Sequence, residues 1–242
     1  MTVLICPVRK GDSNEELRYA IRSWETNLIL ETGLQLWTVG YCPTWLNPDR
    51  HIEGNAYESM PHAVFDNVLT AAVVADDEGE DEVVFMNDDF FCLDPVGELL
   101  PVKRDVSLRS QLSTFPHGVG TWWPRSLLAT LDYLAEQGFE DPDSFELHRP
   151  LVANPRVMAE VLGAWVDSAG YHLEDIDTVP QWRTVYGVMG KVEAYPARDA
   201  KLSAKQRGVG TPWVSTSDQS WRVYSASIRK RFQKPSRWEI QE

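Results

Sequence analysis

Cysteine is scarce in this chain and scattered where it occurs. Cys6, Cys42 and Cys92 are the three present. An odd number with no C-x-x-C pair excludes a disulfide framework and a thiolate zinc finger, and suits reduced thiols in a cytoplasmic protein. Long apolar runs are lacking too, and no stretch reaches the roughly 20 residues that a spanning helix needs. The opening "MTVLICPVRKGD" has no basic segment ahead of its apolar part and no small-residue cleavage site. It reads as a first strand rather than a secretory leader.

Positive charge is in short supply. The 23 Lys/Arg face 36 Asp/Glu, for a net charge of −13. The shortage is uneven: from Lys201 onward nine Lys/Arg outnumber three Asp/Glu, so that stretch carries +6 and the first 200 residues carry −19. An acidic body argues against broad electrostatic capture of nucleic acid. The basic "SIRKRFQKPSR" suits either a local anion or a solvated helix face. There is no repeat, low-complexity tract or Gly/Ser linker, and 242 residues with 43% hydrophobic content suit one α/β domain.

What is present alternates strand and helix, which predicts a mostly parallel sheet. "TVLICPV" and "LQLWTVGYC" read as strands, and "PTWLNPDR" as a loop. "SNEELRYAIRSWETNLIL" reads as a helix, with Ser13 and Glu16 spaced as a capping box and a buried stripe of Leu17, Ile21, Trp24 and Leu28. "PHAVFDNVLTAAVVA" is a second helix, and "EVVFMN" a central strand with both faces covered. Further on, "WPRSLLATLDYLAEQG" and "NPRVMAEVLGAW" are helices, the first with Pro124 at its first position and Gly138 as its stop. "TVPQWRTVYG" has no clear period.

The informative stretch is "VVFMNDDFF", residues 83–91. Asp88 and Asp89 fall where the central strand runs out, the place where open parallel sheets bind ligands. Adjacent carboxylates repel, and a divalent cation removes the conflict. Oxygen-only ligation favours Mn²⁺ or Mg²⁺ completed by a substrate diphosphate. A strand-to-turn corner is the plainer account, but Met86, Phe90 and Phe91 imply enclosure.

"VFMNDDFF" resembles the Asp-x-Asp segment of glycosyltransferases with the GT-A fold, and is similar to the "LNDDvF"-type segment of the Stealth family of sugar-phosphate transferases. Relatives carried by tailed phages of actinobacteria share it. "NEELRYAIRSWETNL", "LWTVGYCPTWLN" and "FELHRPLV" resemble further segments of that family in the same order. "CPVRKGD" stands where a "TWVDG"-type opening is expected, which favours sugar over sugar-phosphate transfer. The resemblance implies one GT-A-like domain over 1–242, with residues 1–100 for nucleotide and metal and 101–242 on the acceptor side. It implies a metal-dependent transfer from a nucleotide-diphosphate sugar to an acceptor hydroxyl, in the host cytoplasm if phage-encoded. The acceptor is left open among a glycan, a protein, a lipid head group and modified DNA. A phosphohydrolase or nuclease and a non-catalytic nucleotide- or carbohydrate-binding protein are the rival classes.

Site roles follow from the resemblance. Arg9 and Lys10 would contact base or phosphate, with Gly11 admitting the backbone closely. Asp66, Asn67 and Asn87 would line the donor pocket. Arg18 and Arg22, four apart on one helix face, would clamp the diphosphate or else pair with Glu15 and Glu25. His148 would be a third metal ligand beside Asp88 and Asp89, or a phosphate contact. Asp141, Asp143 and Glu146 are candidate general bases. Asp199 and Lys201 would close over the site or form an ion pair. Trp122, Trp123, Trp182 and Trp213 are candidates for stacking on a sugar or for packing.

Overall fold

The computed structural model describes residues 1–54, 60–115, 121–169, 178–203 and 211–240. Five strands build the central sheet in the order β3 (Arg50–Glu53), β2 (Leu34–Gly40), β1 (Thr2–Val8), β4 (Val83–Phe85) and β7 (Leu151–Ala153). The first four run parallel, and β7 is antiparallel to β4 at the edge.

The strands are apolar on both sides because both faces are covered. Val3, Ile5, Trp37, Val39 and Phe85 turn one way, into a core shared with α2 (Met60–Asp77), α4 (Trp122–Glu136), α5 (Pro155–Ser168) and α6 (Trp182–Met189). Leu4, Cys6, Leu36, Val84 and Met86 turn the other way, toward α1 (Glu15–Asn27) and α7 (Asp218–Arg231). Period-two alternation along each strand thus feeds two cores of a three-layer, Rossmann-like α/β fold. Two short pairings extend the frame: β5 (Phe90–Cys92) runs antiparallel to β9 (Trp213–Ser215), and β6 (Val102–Lys103) parallel to β8 (Tyr195–Pro196). A six-residue helix, α3 (Leu108–Ser113), packs against α4. Among the described residues no helix is long and apolar enough to cross a membrane.

Several element starts obey their local signals. Asn154 caps α5, its Oδ1 accepting from Val157 N at 3.0 Å with Pro155 next in line, a cap worth about 1 kcal/mol. The α1 stripe is buried as its spacing requires. Its N-terminus differs from the expected capping box. Asn14 occupies the cap position at φ 47° without a side-chain cap bond. Its amide instead ties the preceding loop, donating to Arg9 O at 2.9 Å and accepting from Gly11 N at 3.3 Å. Glu16 is thereby released from capping and enters the cleft described below. The edge strand β3 lies partly in what reads as a loop. Only Ile52 of its four residues is buried, so pairing with β2 rather than patterning makes it a strand. The patternless "QWRTVYG" is α6, buried from Trp182 through Gly187, and a helix covered all round has no polar face to betray its period.

The basic C-terminal stretch is consumed inside the molecule. Arg229 meets Glu15 at 2.6 Å and Arg231 meets Asp94 at 3.1 Å. Arg22, expected on the donor, is bound bidentately by Glu239 at 2.6 and 2.7 Å and also donates to Phe232 O. Side-chain exposures of 10% and 7% make this pair effectively desolvated. Removing one partner of such a pair strands a buried charge, whereas an exposed pair contributes little. Glu239→Ala is therefore expected to cost about 3–5 kcal/mol in urea unfolding, against less than about 1 kcal/mol for Glu15→Ala. Equal losses for the two variants would contradict this account of the C-terminal anchor.

Candidate functional site

A cleft of about 1190 Å³ opens at the carboxyl ends of the parallel strands. Pro7, Val8, Arg9 and Lys10 come from the end of β1, Gly40 and Tyr41 from the end of β2, and Asn87, Asp88 and Asp89 from the end of β4. Open α/β sheets place ligands there because the strand order reverses and leaves a crevice.

The floor near β2 is drawn tight. Gly40 sits at φ 95°, and a Cβ there would lie 2.7 Å from Val8 O and 2.8 Å from Asn67 Nδ2. Asn67, reaching in from α2, is 6% exposed, and its Oδ1 is buried without a hydrogen bond. Asp66 beside it is half-buried and stands outside the cleft wall.

The two aspartates are treated differently. Asp89 Oδ2 accepts from Lys201 Nζ at 2.9 Å and from Ser215 Oγ at 2.6 Å. Lys201 also donates to Thr216 O. The β5–β9 pairing sets this contact, because Phe90 lies opposite Ser215 in register. Among the described residues Asp88 has no such partner. Burial first, and then the negative charge of Asp89, push its carboxyl up to about 7, with Glu16 adding to the effect and Arg9 and Lys201 opposing it. Glu16 is a third carboxylate in the wall, raised by burial although Thr216 Oγ1 donates to it at 2.7 Å.

A buried arginine braces the β4 turn. Arg183 of α6 donates to Asn87 Oδ1 at 3.2 Å and to Arg149 O at 2.9 Å, and lies 4.7 Å from the Trp182 ring centre. Burial lowers it to about 10, against the nearby charges of Glu146, Asp89 and Asp199, so it remains a cation at neutral pH. Glu146 lines the cleft but spends its Oε1 on Thr184 N and Oγ1 at 3.1 and 2.9 Å, capping α6 from outside.

His148 is fixed by Asp199. The ring Nδ1 lies 3.0 and 3.2 Å from the two carboxylate oxygens, and the His148 backbone N–H donates to Asp199 at 2.9 Å. Arg104 donates to the same carboxylate at 2.6 Å. Burial works to raise Asp199, but the His148 hydrogen bonds and the Arg104 charge overcome it and hold the group far below the usual carboxylate range. An ionised carboxylate only accepts, so Nδ1 carries a proton toward Asp199 and Nε2 is the ring nitrogen not engaged by it. His148 forms part of the cleft wall.

The site thus gathers Arg9, Lys10, Asn67, Asn87, Asp88, Asp89, Glu146, His148 and Lys201 on one cleft wall. It does not gather Arg18, Arg22, Asp66 or Gly11 there. Arg18 lies 4.5 Å over the Trp45 ring and 3.7 Å from Glu239. Asp143 pairs with Lys103 and, like Asp141, is absent from the wall. Trp213 packs in the core, 4% exposed. Among the described residues no three His, Cys, Asp or Glu side chains assemble into a set that holds a metal by itself. Arg183, Glu16, Ser215 and Arg104 escape a reading of the chain. For Arg183 the one available signal is a charged residue inside an apolar segment, which is buried only when partnered.

Comparison of the chain with protein-family models and with curated proteins gave no match.

The two carboxyls predict opposite pH responses in metal-free protein. Asp88 is raised from 3.8 to about 7, so the folded state holds a proton that the unfolded state releases, and stability falls as pH climbs through that window. Asp199 is depressed below 3.8, so its contribution is present above that value and disappears as pH drops beneath it. Thermal unfolding in EDTA is expected to show Asp88→Asn gaining at pH 8 but not at pH 4, by roughly 2–4 °C per kcal/mol regained. Asp199→Asn is expected to flatten the acid limb alone. A uniform shift at every pH in both variants would refute the assignment.

Proposed function

We propose that the protein is a metal-dependent glycosyltransferase with a GT-A-like fold, moving a sugar from a nucleotide-diphosphate sugar to an acceptor hydroxyl. One observation carries the reading. At the mouth of the parallel sheet, burial and the neighbouring Asp89 raise Asp88 to about 7, within a wall that also presents Arg9, Lys10 and Lys201. Such a site is short of positive charge at Asp88 and rich in groups that grip phosphate.

A divalent cation fits that deficit. The donors are oxygens only, Asp88 together with the oxygen of Asp89 not taken by Lys201, a set that suits Mg²⁺ or Mn²⁺ with waters and diphosphate oxygens making up the shell. When bound, the ion would supply charge neutralisation for the departing nucleoside diphosphate.

The remaining work belongs to the chain's own groups. Arg9 and Lys10, on the loop tied by Asn14, hold the diphosphate over the end of β1. Asn67 and the glycine-lined floor receive the nucleoside. Lys201, anchored on Asp89 and Thr216, adds a fixed positive charge where negative charge develops. His148 accepts the acceptor hydroxyl's proton at Nε2, and Asp199 stabilises the imidazolium that results.

Thermal unfolding with Mn²⁺ and a panel of nucleoside diphosphates tests this. A ligand at a hundred times its dissociation constant stabilises by about 2.7 kcal/mol, or roughly 5–10 °C for a chain of this size. The shift is expected only when metal and nucleotide are present together, and is expected to vanish in Asp88→Asn. A metal-independent shift, or metal-dependent hydrolysis of simple phosphate esters or nucleic acid instead of sugar transfer, would overturn the reading.

A further inference from the structure

An uncharged lobe of the cleft lining holds none of the groups assigned to the donor. Trp122, Trp123, Ser126, Val179, Pro180 and Gln181 form it, and none of these carries a charge. Trp122 is 40% exposed. It meets Trp123 edge-on, with ring centres 5.3 Å apart and planes at 88°. A T-shaped pair fixes the rings while leaving an indole face uncovered.

The wall behind the rings is pinned. Ser126 Oγ donates to Val179 O at 2.5 Å, and Thr130 Oγ1 donates to Ser126 O at 2.6 Å and accepts from Gln181 N at 2.8 Å. Gln181 Nε2 donates to Ser126 Oγ at 2.8 Å. That amide orientation is forced: the single Ser126 hydroxyl hydrogen is spent on Val179, so Oγ can only accept, and the group facing it must be the NH₂. Gln181 Oε1 is left with no partner among the described residues, on a side chain that lines the cleft and is only 7% exposed. An acceptor left open on the cleft lining is available to a donor from a ligand.

We propose that this lobe is the acceptor subsite and that it takes the ring of a neutral saccharide. The apolar C–H face of a pyranose lies on indole, and a ring hydroxyl donates to Gln181 Oε1. The absence of charge in the lobe, beside a body carrying −19 over its first 200 residues, selects against phosphodiester acceptors. The role as acceptor subsite rests on the transferase reading, whereas the recognition chemistry does not.

Saturation-transfer NMR with a panel of methyl hexosides, N-acetylhexosaminides and short neutral oligosaccharides tests it. Nucleosides and a single-stranded oligodeoxynucleotide serve as controls. Wild type is expected to bind members of the neutral panel at millimolar concentration. Trp122→Ala is expected to weaken that binding at least tenfold and Trp122→Phe to retain most of it, because a ring face remains. Gln181→Leu is expected to lose severalfold. The Mn²⁺-dependent nucleotide shift, read on the same samples, is expected to be unchanged in both Trp122 variants, which also reports their folding. No binding across the neutral panel, equal binding by Trp122→Ala, or Trp122-dependent binding of the oligonucleotide instead would each overturn the proposal. Loss of the nucleotide shift in wild type with saccharide binding intact would sink the transferase reading and leave the saccharide subsite standing.

Discussion

Neighbouring carboxylates at the end of a central strand cannot both stay ionised in a half-buried cleft unless positive charge is brought to them. The surroundings of β4 follow from that constraint. Asp89 is settled by the protein itself, through Lys201 and Ser215. Asp88 is not settled, and burial beside its neighbour holds it near 7. The asymmetry is informative. The chain supplies partners to one carboxylate and leaves its neighbour raised by burial, and the proposed cation site rests on that difference.

The groups that meet this constraint come from far along the chain. Lys201 reaches Asp89 across 112 residues, and Asp199 reaches His148 across 51. Arg183 arrives from α6 to hold Asn87. Each is fixed by a second bond of its own, Lys201 to Thr216 O and Asp199 to Arg104, so none depends on the ligand for its position. In the proposed reaction, preorganisation of this kind would limit the reorganisation required as charge develops.

The same separations explain how much was legible in the chain. The α1 stripe, the Asn154 cap and the Gly138 stop are written within a few residues and emerge from local physics. The end of β4 is legible too, because an apolar strand that stops at two acids leaves a one-residue signature. Arg18 and Arg22 show where local reasoning fails. Their spacing marks one helix face, but which partner fills that face depends on Glu239, 217 residues away from Arg22. The Ser13–Glu16 spacing fails differently, because Asn14 in the left-handed region offers the loop other bonds. Glu146 lies near the cleft as expected, yet its oxygen is spent on starting α6, a competition that no spacing rule records.

The charge imbalance between body and tail joins stability to the site. The basic end of the chain is drawn onto acidic α1 through Arg229–Glu15 and onto the turn after β5 through Arg231–Asp94. Glu239 returns the opposite sign to Arg22. α7 itself is seated by Ile228 in the core that also holds β5 and β9, and β9 supplies Ser215 to Asp89. Exposed pairs weaken with salt while the desolvated Arg22–Glu239 pair does not. High ionic strength should therefore loosen the outer strap before it disturbs the carboxylate corner, because the link nearest the sheet is the one shielded from water.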